Sequence, residues 1–161
     1  MPALTRQLEA PFSASALEMR LFIERNSASP YLPFTLAELA LERVRRARFG
    51  QLPSRIGVTF ASRSAERALA FARRYRPEAH AVHVCRLETN GPVWCADMAV
   101  RNVRPADSLS PDEMWRAHCA LAAQYWLSVS PRARRGRHEE ELLLPGRTWV
   151  QAAVGRFDLM P

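Results

Sequence analysis

Lysine is absent from this sequence, and all 23 of its basic residues are arginine. Isoleucine is nearly absent as well, since it occurs only at Ile23 and Ile56. A GC-rich genome accounts for both shortages, because lysine and isoleucine have AT-rich codons. Arginine therefore supplies all of the positive charge, and the formal net charge is +7. An excess of arginine favours anionic partners such as phosphates, nucleic acids and acidic protein surfaces.

Cysteine is scarce and no metal motif is present. The three cysteines are Cys85, Cys95 and Cys119, and no two of them form a Cys-x-x-Cys motif. We also find no histidine pair at the spacing of a zinc site. The sequence therefore predicts no bound metal and reduced, mostly buried thiols.

Long apolar runs are missing too. No stretch is long and apolar enough to span a bilayer, so we expect no membrane association. The first residues lack the basic and then apolar blocks of a secretory signal, which predicts a cytoplasmic protein or one exported without a cleaved signal. A length of 161 residues is typical of one compact domain with a substantial core.

Start signals predict three helices. Thr35 and Glu38 form a capping box, which predicts a helix from Thr35 to about Phe49. Ser110 and Glu113 form a second capping box, with proline at the first helical position. A third, alanine-rich helix follows Ser62 and Ser64, and either hydroxyl is able to cap it.

Short apolar runs predict the strands. Residues 19–25 are interpreted as a strand that ends in a turn, with Arg25 on its inward face. Asn90 and Gly91 lie between two apolar runs, which predicts a β-hairpin. Further strands are expected at residues 56–60, 142–144 and 148–154. Residues 1–18 are expected to be irregular, and 19–161 to form a single α+β domain with small mixed or antiparallel sheets and about three helices.

A run of three carboxylates, Glu139, Glu140 and Glu141, directly precedes three leucines and a Pro-Gly turn. Side chains alternate faces along a strand, so Glu139 and Glu141 are expected on one face and Glu140 on the other. Two carboxylates at the entrance of a rigid strand suit acid–base and charge-stabilising chemistry. The alternative is a solvated charged loop ahead of an ordinary strand.

Three stretches together resemble the ADP-ribosyltransferase family of the arginine-serine-glutamate class. The first is the predicted strand with Arg20 or Arg25. The second is Phe60-Ala61-Ser62-Arg63-Ser64, which is similar to the family's Phe-x-Ser-Thr-Ser motif, although Arg63 replaces the threonine. The third is the glutamate run, which is similar to the Glu-x-Glu motif. The resemblance covers roughly residues 19–155 and implies an ADP-ribosyltransferase-like fold.

The resemblance also implies the site and its substrates. NAD is the implied co-substrate, and a bacterial toxin or effector is one implied form. Glu141 would stabilise the ribose cation, Ser62 would steady Glu141, and Glu139 would activate the acceptor. Arg25 or Arg20 would hold the pyrophosphate, and Ser62 and Ser64 belong to the same NAD site. The basic loop before the glutamates would contact an acidic protein surface or nucleic acid through Arg132, Arg134, Arg135 and Arg137.

Two other functions remain open on the sequence. One is an NAD glycohydrolase, which would release ADP-ribose to water instead of transferring it. The other is a non-catalytic basic module that binds nucleic acid, suggested by arginine clusters at 43–48, 73–76 and 132–137. No zinc finger and no aromatic-basic RNA motif supports this second alternative.

Overall fold

A computed structural model describes residues 14–76, 78–131 and 140–159 of the chain. The described residues form five α-helices, five strands and a short 3₁₀ helix at Arg55–Gly57. The α+β class predicted from the sequence is confirmed. In chain order the elements are α1 (Ala16–Arg25), α2 (Leu32–Arg48), β1 (Thr59–Ala61), α3 (Ala65–Tyr75), β2 (Ala81–Thr89), β3 (Trp94–Asp97), α4 (Met98–Arg101), α5 (Pro111–Ser128), β4 (Glu140–Leu144) and β5 (Thr148–Asp158).

The chain divides into two compact units. The first contains Met1–Ile56 and Asp97–Val129, and the second contains Gly57–Ala96 and Ser130–Pro161. The described part of the first unit is helical, and all of β1, β2, β4 and β5 lie in the second. The residues of the carboxylate run and of the serine motif therefore belong to the second unit.

The core of the first unit lies between α2 and α5. Tyr125 and Trp126 of α5 are almost completely buried, with 0% and 1% of their surface exposed. The indole Nε1 of Trp126 donates a hydrogen bond of 2.7 Å to the backbone carbonyl of Leu41 in α2. Burying a large aromatic ring while its polar atom is satisfied stabilises the fold without a desolvation cost.

The predicted strand at residues 19–25 is wrong, because these residues belong to α1. Ser15 and Glu18 form a capping box, in which Glu18 Oε2 accepts from the backbone N–H of Ser15 at 2.7 Å. Met19 and Ile23 are buried at the four-residue spacing of a helix, and they pack with Leu32 and Leu36 at the start of α2. Helix α1 also begins inside the segment 1–18 that was expected to be irregular.

The other helix predictions are confirmed, with changes at their ends. Helix α2 begins at Leu32 rather than Thr35. The hydroxyl of Thr35 donates to the carbonyl of Tyr31 at 3.1 Å, so Thr35 lies inside the helix and does not cap it. Ser110 caps α5 as predicted, and Ser64 is the hydroxyl that caps α3.

Two small antiparallel sheets and helix α3 form the described part of the second unit. Strand β4 lies between β1 and β3 in one sheet, and β2 pairs with β5 in the other. The predicted hairpin through Asn90-Gly91 is therefore wrong, since β2 and β3 belong to different sheets. Asn90 bonds to the next turn instead: its side-chain oxygen accepts from the backbone N–H of Arg147 at 3.1 Å.

Two of the connections between the sheets, β2–β3 and β4–β5, touch each other at their glycines. Gly91 lies between β2 and β3, and Gly146 lies between β4 and β5. A Cβ added to Gly91 would lie 2.8 Å from Gly146 Cα, and one added to Gly146 would lie 2.7 Å from Gly91 Cα. Contacts this short leave no room for a methyl group, so both positions require glycine for space.

Candidate functional site

Strand pairing brings Ser62 and Glu141 to neighbouring positions in the second unit. Strand β1 runs antiparallel to β4, with Phe60 opposite Leu143 and Ala61 opposite Leu142. Ser62 follows Ala61, and Glu141 precedes Leu142. Ser62 and Glu141 therefore adjoin the last pair at this end of the sheet.

Glu141 is a buried carboxylate in an apolar strand. Its exposed fraction is 8%, and Leu143 and Leu144 further along the strand are 0% and 4% exposed. Ser62 is half-buried. A carboxylate held at the edge of a dry core interacts more strongly with a developing positive charge than one in water does.

Glu140 has a close partner that was not predicted from the sequence. Arg63 Nε donates a hydrogen bond to Glu140 Oε2, and Arg67 Nη1 lies 3.8 Å from the same oxygen. The side chain of Glu140 is only 4% exposed. The hydrogen bond to Glu140 also raises the pKa of Arg63. Glu140, which was expected on the face opposite to Glu141, is the centre of an ion-pair cluster.

Arg63 also reaches the third strand of this sheet. Its Nη2 donates to Cys95 Sγ at 3.0 Å. Cys95 is 5% exposed, and burial raises the pKa of its thiol although Arg63 opposes that shift. The backbone of Cys95 exchanges two hydrogen bonds with Ser130, at 2.8 and 3.0 Å. The expected reduced, buried thiol is found at Cys95.

Ser64 has a structural role that accounts for its hydroxyl. Its Oγ accepts from the backbone N–H of Arg67 at 3.3 Å and caps α3. Ser64 lies two residues beyond Ser62, and its side chain is exposed. The predicted contact of Ser64 with NAD stays a prediction.

Arg20 and Arg25 lie on α1 in the first unit, not on a strand. Both side chains are exposed to solvent. Arg20 Nε pairs with Glu24 Oε1 at 2.8 Å, one helical turn away. The strand that was to aim either arginine at the pyrophosphate does not exist, so their predicted clamp role has lost its geometric basis.

Several predicted site residues lie outside the described residues. Glu139 is one of them, and the others belong to the basic loop: Arg132, Arg134, Arg135 and Arg137. Their predicted roles as acceptor base and acceptor-binding loop stay predictions. The described part of the site therefore consists of Ser62, Glu141 and the Arg63–Glu140 pair beside them.

The sequence offered one signal for the Arg63–Glu140 pair. Arg63 replaces a neutral threonine in the serine motif, and an unpaired charge beside a buried strand is costly. The pairing of Ala61 with Leu142 brings the residues that follow Ala61 close to those that precede Leu142. Without that register, the identity of the carboxylate that pairs with Arg63 was not readable from the sequence.

Buried charges in the first unit are paired within it. Glu42, 2% exposed, accepts hydrogen bonds from Arg45, Arg46 and Ser54 at 2.8 to 3.0 Å. Burial would raise the pKa of Glu42, but these bonds outweigh it and lower that pKa to about 2. Part of the arginine cluster at 43–48 is therefore neutralised by a carboxylate of its own helix.

His118 and a second ion pair lie near the centre of the first unit. His118 is 5% exposed, and burial lowers the pKa of its imidazole. Arg55 Nη1 donates to the Tyr125 hydroxyl at 2.6 Å, and its Nε bonds to Glu38 at 3.1 Å. Its burial makes His118 part of the core of the first unit.

The described residues contain neither a cluster of metal ligands nor a membrane-spanning helix. Within residues 14–76, 78–131 and 140–159, no three His, Cys, Asp or Glu side chains gather as metal ligands would. None of the helices in this part of the chain is both long enough and apolar enough to cross a bilayer.

Comparison with known proteins identifies a family but no function. A family model described as "Protein of unknown function (DUF2441)" matches residues 13–154. The match includes Ser62, Arg63, Glu140 and Glu141. No curated protein matches the chain.

Proposed function

The chain belongs to the DUF2441 family of proteins of unknown function, and we propose that it is an NAD-dependent ADP-ribosyltransferase. In the proposed reaction the enzyme transfers ADP-ribose from NAD to a macromolecular acceptor. The observation that supports it is the pairing of Ala61 with Leu142, since Ser62 directly follows Ala61 and the buried Glu141 directly precedes Leu142. These two residues are 79 positions apart in the sequence. They come from separate motifs that resemble those of one enzyme family.

Glu141 would stabilise the transition state. The glycosidic bond between ribose C1′ and the nicotinamide nitrogen breaks, and nicotinamide leaves with the electron pair. The ribose that remains has oxocarbenium character, which a carboxylate stabilises by accepting a hydrogen bond from a ribose hydroxyl. Burial of Glu141 in the leucine strand strengthens this interaction, because little water competes for the carboxylate.

The acceptor completes the reaction. Its nucleophile forms a new bond to C1′ and gives up a proton to a base. Glu139 is the base that the resemblance implies, and the basic loop would hold an acceptor with an acidic surface. Ser62 would restrict the orientation of Glu141 by a hydrogen bond.

Substitution of Glu141 tests the proposal. Glu141→Gln removes the charge at nearly constant volume, so we expect NAD consumption to fall by about 10²–10³-fold. Glu88→Gln is the matched control, because Glu88 is an exposed carboxylate on β2 of the same unit. Nicotinamide release and the appearance of ADP-ribose on acceptors are measured separately. Wild-type protein that consumes no NAD with any candidate acceptor would contradict the proposal.

The products separate transferase from glycohydrolase. Free ADP-ribose that accounts for all of the NAD consumed would identify a glycohydrolase. Glu139→Gln sharpens the distinction, because loss of an acceptor base should abolish transfer yet preserve slow hydrolysis by water.

A further inference from the structure

One ion pair flanks both members of the candidate site. Arg63 directly follows Ser62, Glu140 directly precedes Glu141, and Arg63 Nε donates to Glu140 Oε2. The side chain of Glu140 is 4% exposed, whereas that of Arg63 is 43% exposed. A carboxylate so deeply buried is costly unless donors compensate it. Arg63 therefore covers Glu140 from the solvent side.

The same guanidinium contacts two strands at once. Arg63 lies in the connection between β1 and α3, and it bonds to Glu140 in β4 and to Cys95 Sγ in β3. Strand β4 is the middle strand of this sheet. A planar guanidinium has its donors in fixed directions, so these two bonds together restrict where each strand end lies.

We infer that Arg63 and Glu140 form a positioning pair, which holds Ser62 and Glu141 in register for the chemistry at that site. The catalytic consequence of this inference rests on the proposed function. Neither residue needs to touch NAD, because each acts through the backbone of its direct neighbour. A displacement of the reacting groups by about 1 Å is enough to lower a rate about 100-fold.

Amide hydrogen exchange tests the holding role without any substrate. Glu140→Gln should accelerate exchange at the backbone amides of 141–143 by about tenfold or more, since the local opening becomes easier. The amides of β2 and β5 should be unchanged. Arg73→Gln is the matched control, because Arg73 is an exposed arginine of α3 outside the cluster. Exchange at 141–143 that is the same in Glu140→Gln as in wild type would overturn the inference.

Kinetics test the catalytic consequence. With Glu140→Gln we expect kcat for NAD consumption to fall by about 10–100-fold, with the KM for NAD nearly unchanged. Arg63→Lys keeps the charge but loses the guanidinium geometry, so it should also lower kcat. The double variant Arg63→Gln/Glu140→Gln should be no slower than either single variant, because the two residues act as a unit.

The outcomes separate this inference from the proposed function. Urea unfolding shows whether each variant is folded, and Arg63→Lys serves if Glu140→Gln does not fold. If the wild-type protein is active, a Glu140→Gln variant that exchanges faster but keeps the wild-type kcat would overturn the positioning role. If exchange is faster in Glu140→Gln but the wild-type protein never consumes NAD, the proposed function is contradicted. The inference that the ion pair holds β4 is then still supported.

Discussion

Buried carboxylates of this chain depend on their arginines, and Glu42 shows the energetic consequence. Burial would raise its pKa, but four hydrogen bonds from Arg45, Arg46 and Ser54 lower it from the usual 4.5 to about 2. A depressed pKa in the folded state means that the unfolded chain binds a proton first as the pH falls. The stabilisation by Glu42 is therefore complete above about pH 4.5 and is lost as the pH decreases towards 2.

We expect Glu42→Gln to reduce the free energy of unfolding by about 2 kcal/mol at pH 7. The difference from wild type should shrink as the pH falls through 4.5, because wild-type Glu42 then loses its advantage. Urea unfolding at several pH values measures both effects. Glu24→Gln is the control, since the Arg20–Glu24 pair is exposed and should contribute less than about 0.5 kcal/mol. A deficit for Glu42→Gln that is constant with pH would contradict the argument.

His118 should make the fold sensitive to weak acid. Burial lowers the pKa of its imidazole below 6.5, so the unfolded chain takes up this proton first. The stabilisation is present above pH 6.5 and decreases as the pH falls through the folded pKa. We expect the loss of melting temperature between pH 7.5 and pH 5.5 to be smaller in His118→Gln than in wild type. An identical loss in both proteins would show that other groups cause the acid sensitivity.

Elements were predictable where a capping motif and an apolar period agreed. Helix α5 was predicted from Ser110 and its proline, and α3 from its serines. Helix α1 was missed because Leu21, Ile23 and Arg25 alternate as in a strand and the Ser15–Glu18 capping box was not recognised. The exposed Leu21 shows that the four-residue period of Met19 and Ile23 was the signal to follow.

Strand partners were less predictable than strands. All five observed strands overlap predicted ones, but the partner of each depends on contacts between distant parts of the chain. The Asn-Gly pair is used for a contact with the next turn and not for a hairpin. The Ser62–Glu141 neighbourhood could be expected only from the resemblance, and Arg63–Glu140 required the observed register.

The hydroxyl of Ser64 caps α3, and the resemblance also assigns Ser64 to the proposed NAD site. Ser64→Ala removes the cap of α3, so we expect a loss of about 1 kcal/mol in the free energy of unfolding. Ser64→Asp should restore stability, since aspartate caps helices equally well. A KM for NAD that is unchanged in Ser64→Asp would assign the hydroxyl to the cap alone. Equal stability of the alanine variant and wild type would contradict the cap argument.

The charge of the whole molecule predicts weak association with polyanions. Part of the cluster at 43–48 is neutralised by Glu42, whereas the arginines at 73–76 are exposed. The alternative of a nucleic-acid-binding module therefore depends more on the second cluster. Such binding releases counterions and must weaken steeply with salt.

Replacing Arg73, Arg74 and Arg76 by glutamine tests that dependence. If each contacts one phosphate, the slope of log affinity against log salt should become shallower by about 3 on duplex DNA. Replacing Arg20 and Arg25 on α1 provides a control in the other unit. Binding that is absent at low salt, or that does not respond to salt, would remove the nucleic-acid alternative.

The contact between Gly91 and Gly146 holds the β2–β3 and β4–β5 connections against each other. The β2–β3 and β4–β5 connections meet at this point, backbone against backbone without side chains, whereas the β1–β2 crossing runs through α3. Glu141 lies five residues from Gly146, or about 17 Å along an extended strand. A hinge rotation of about 5° at the glycines would carry Glu141 through about 1.5 Å, by lever geometry on that length. A methyl group at Gly146 would thus displace the Glu141 carboxylate, although the two residues lie at opposite ends of β4.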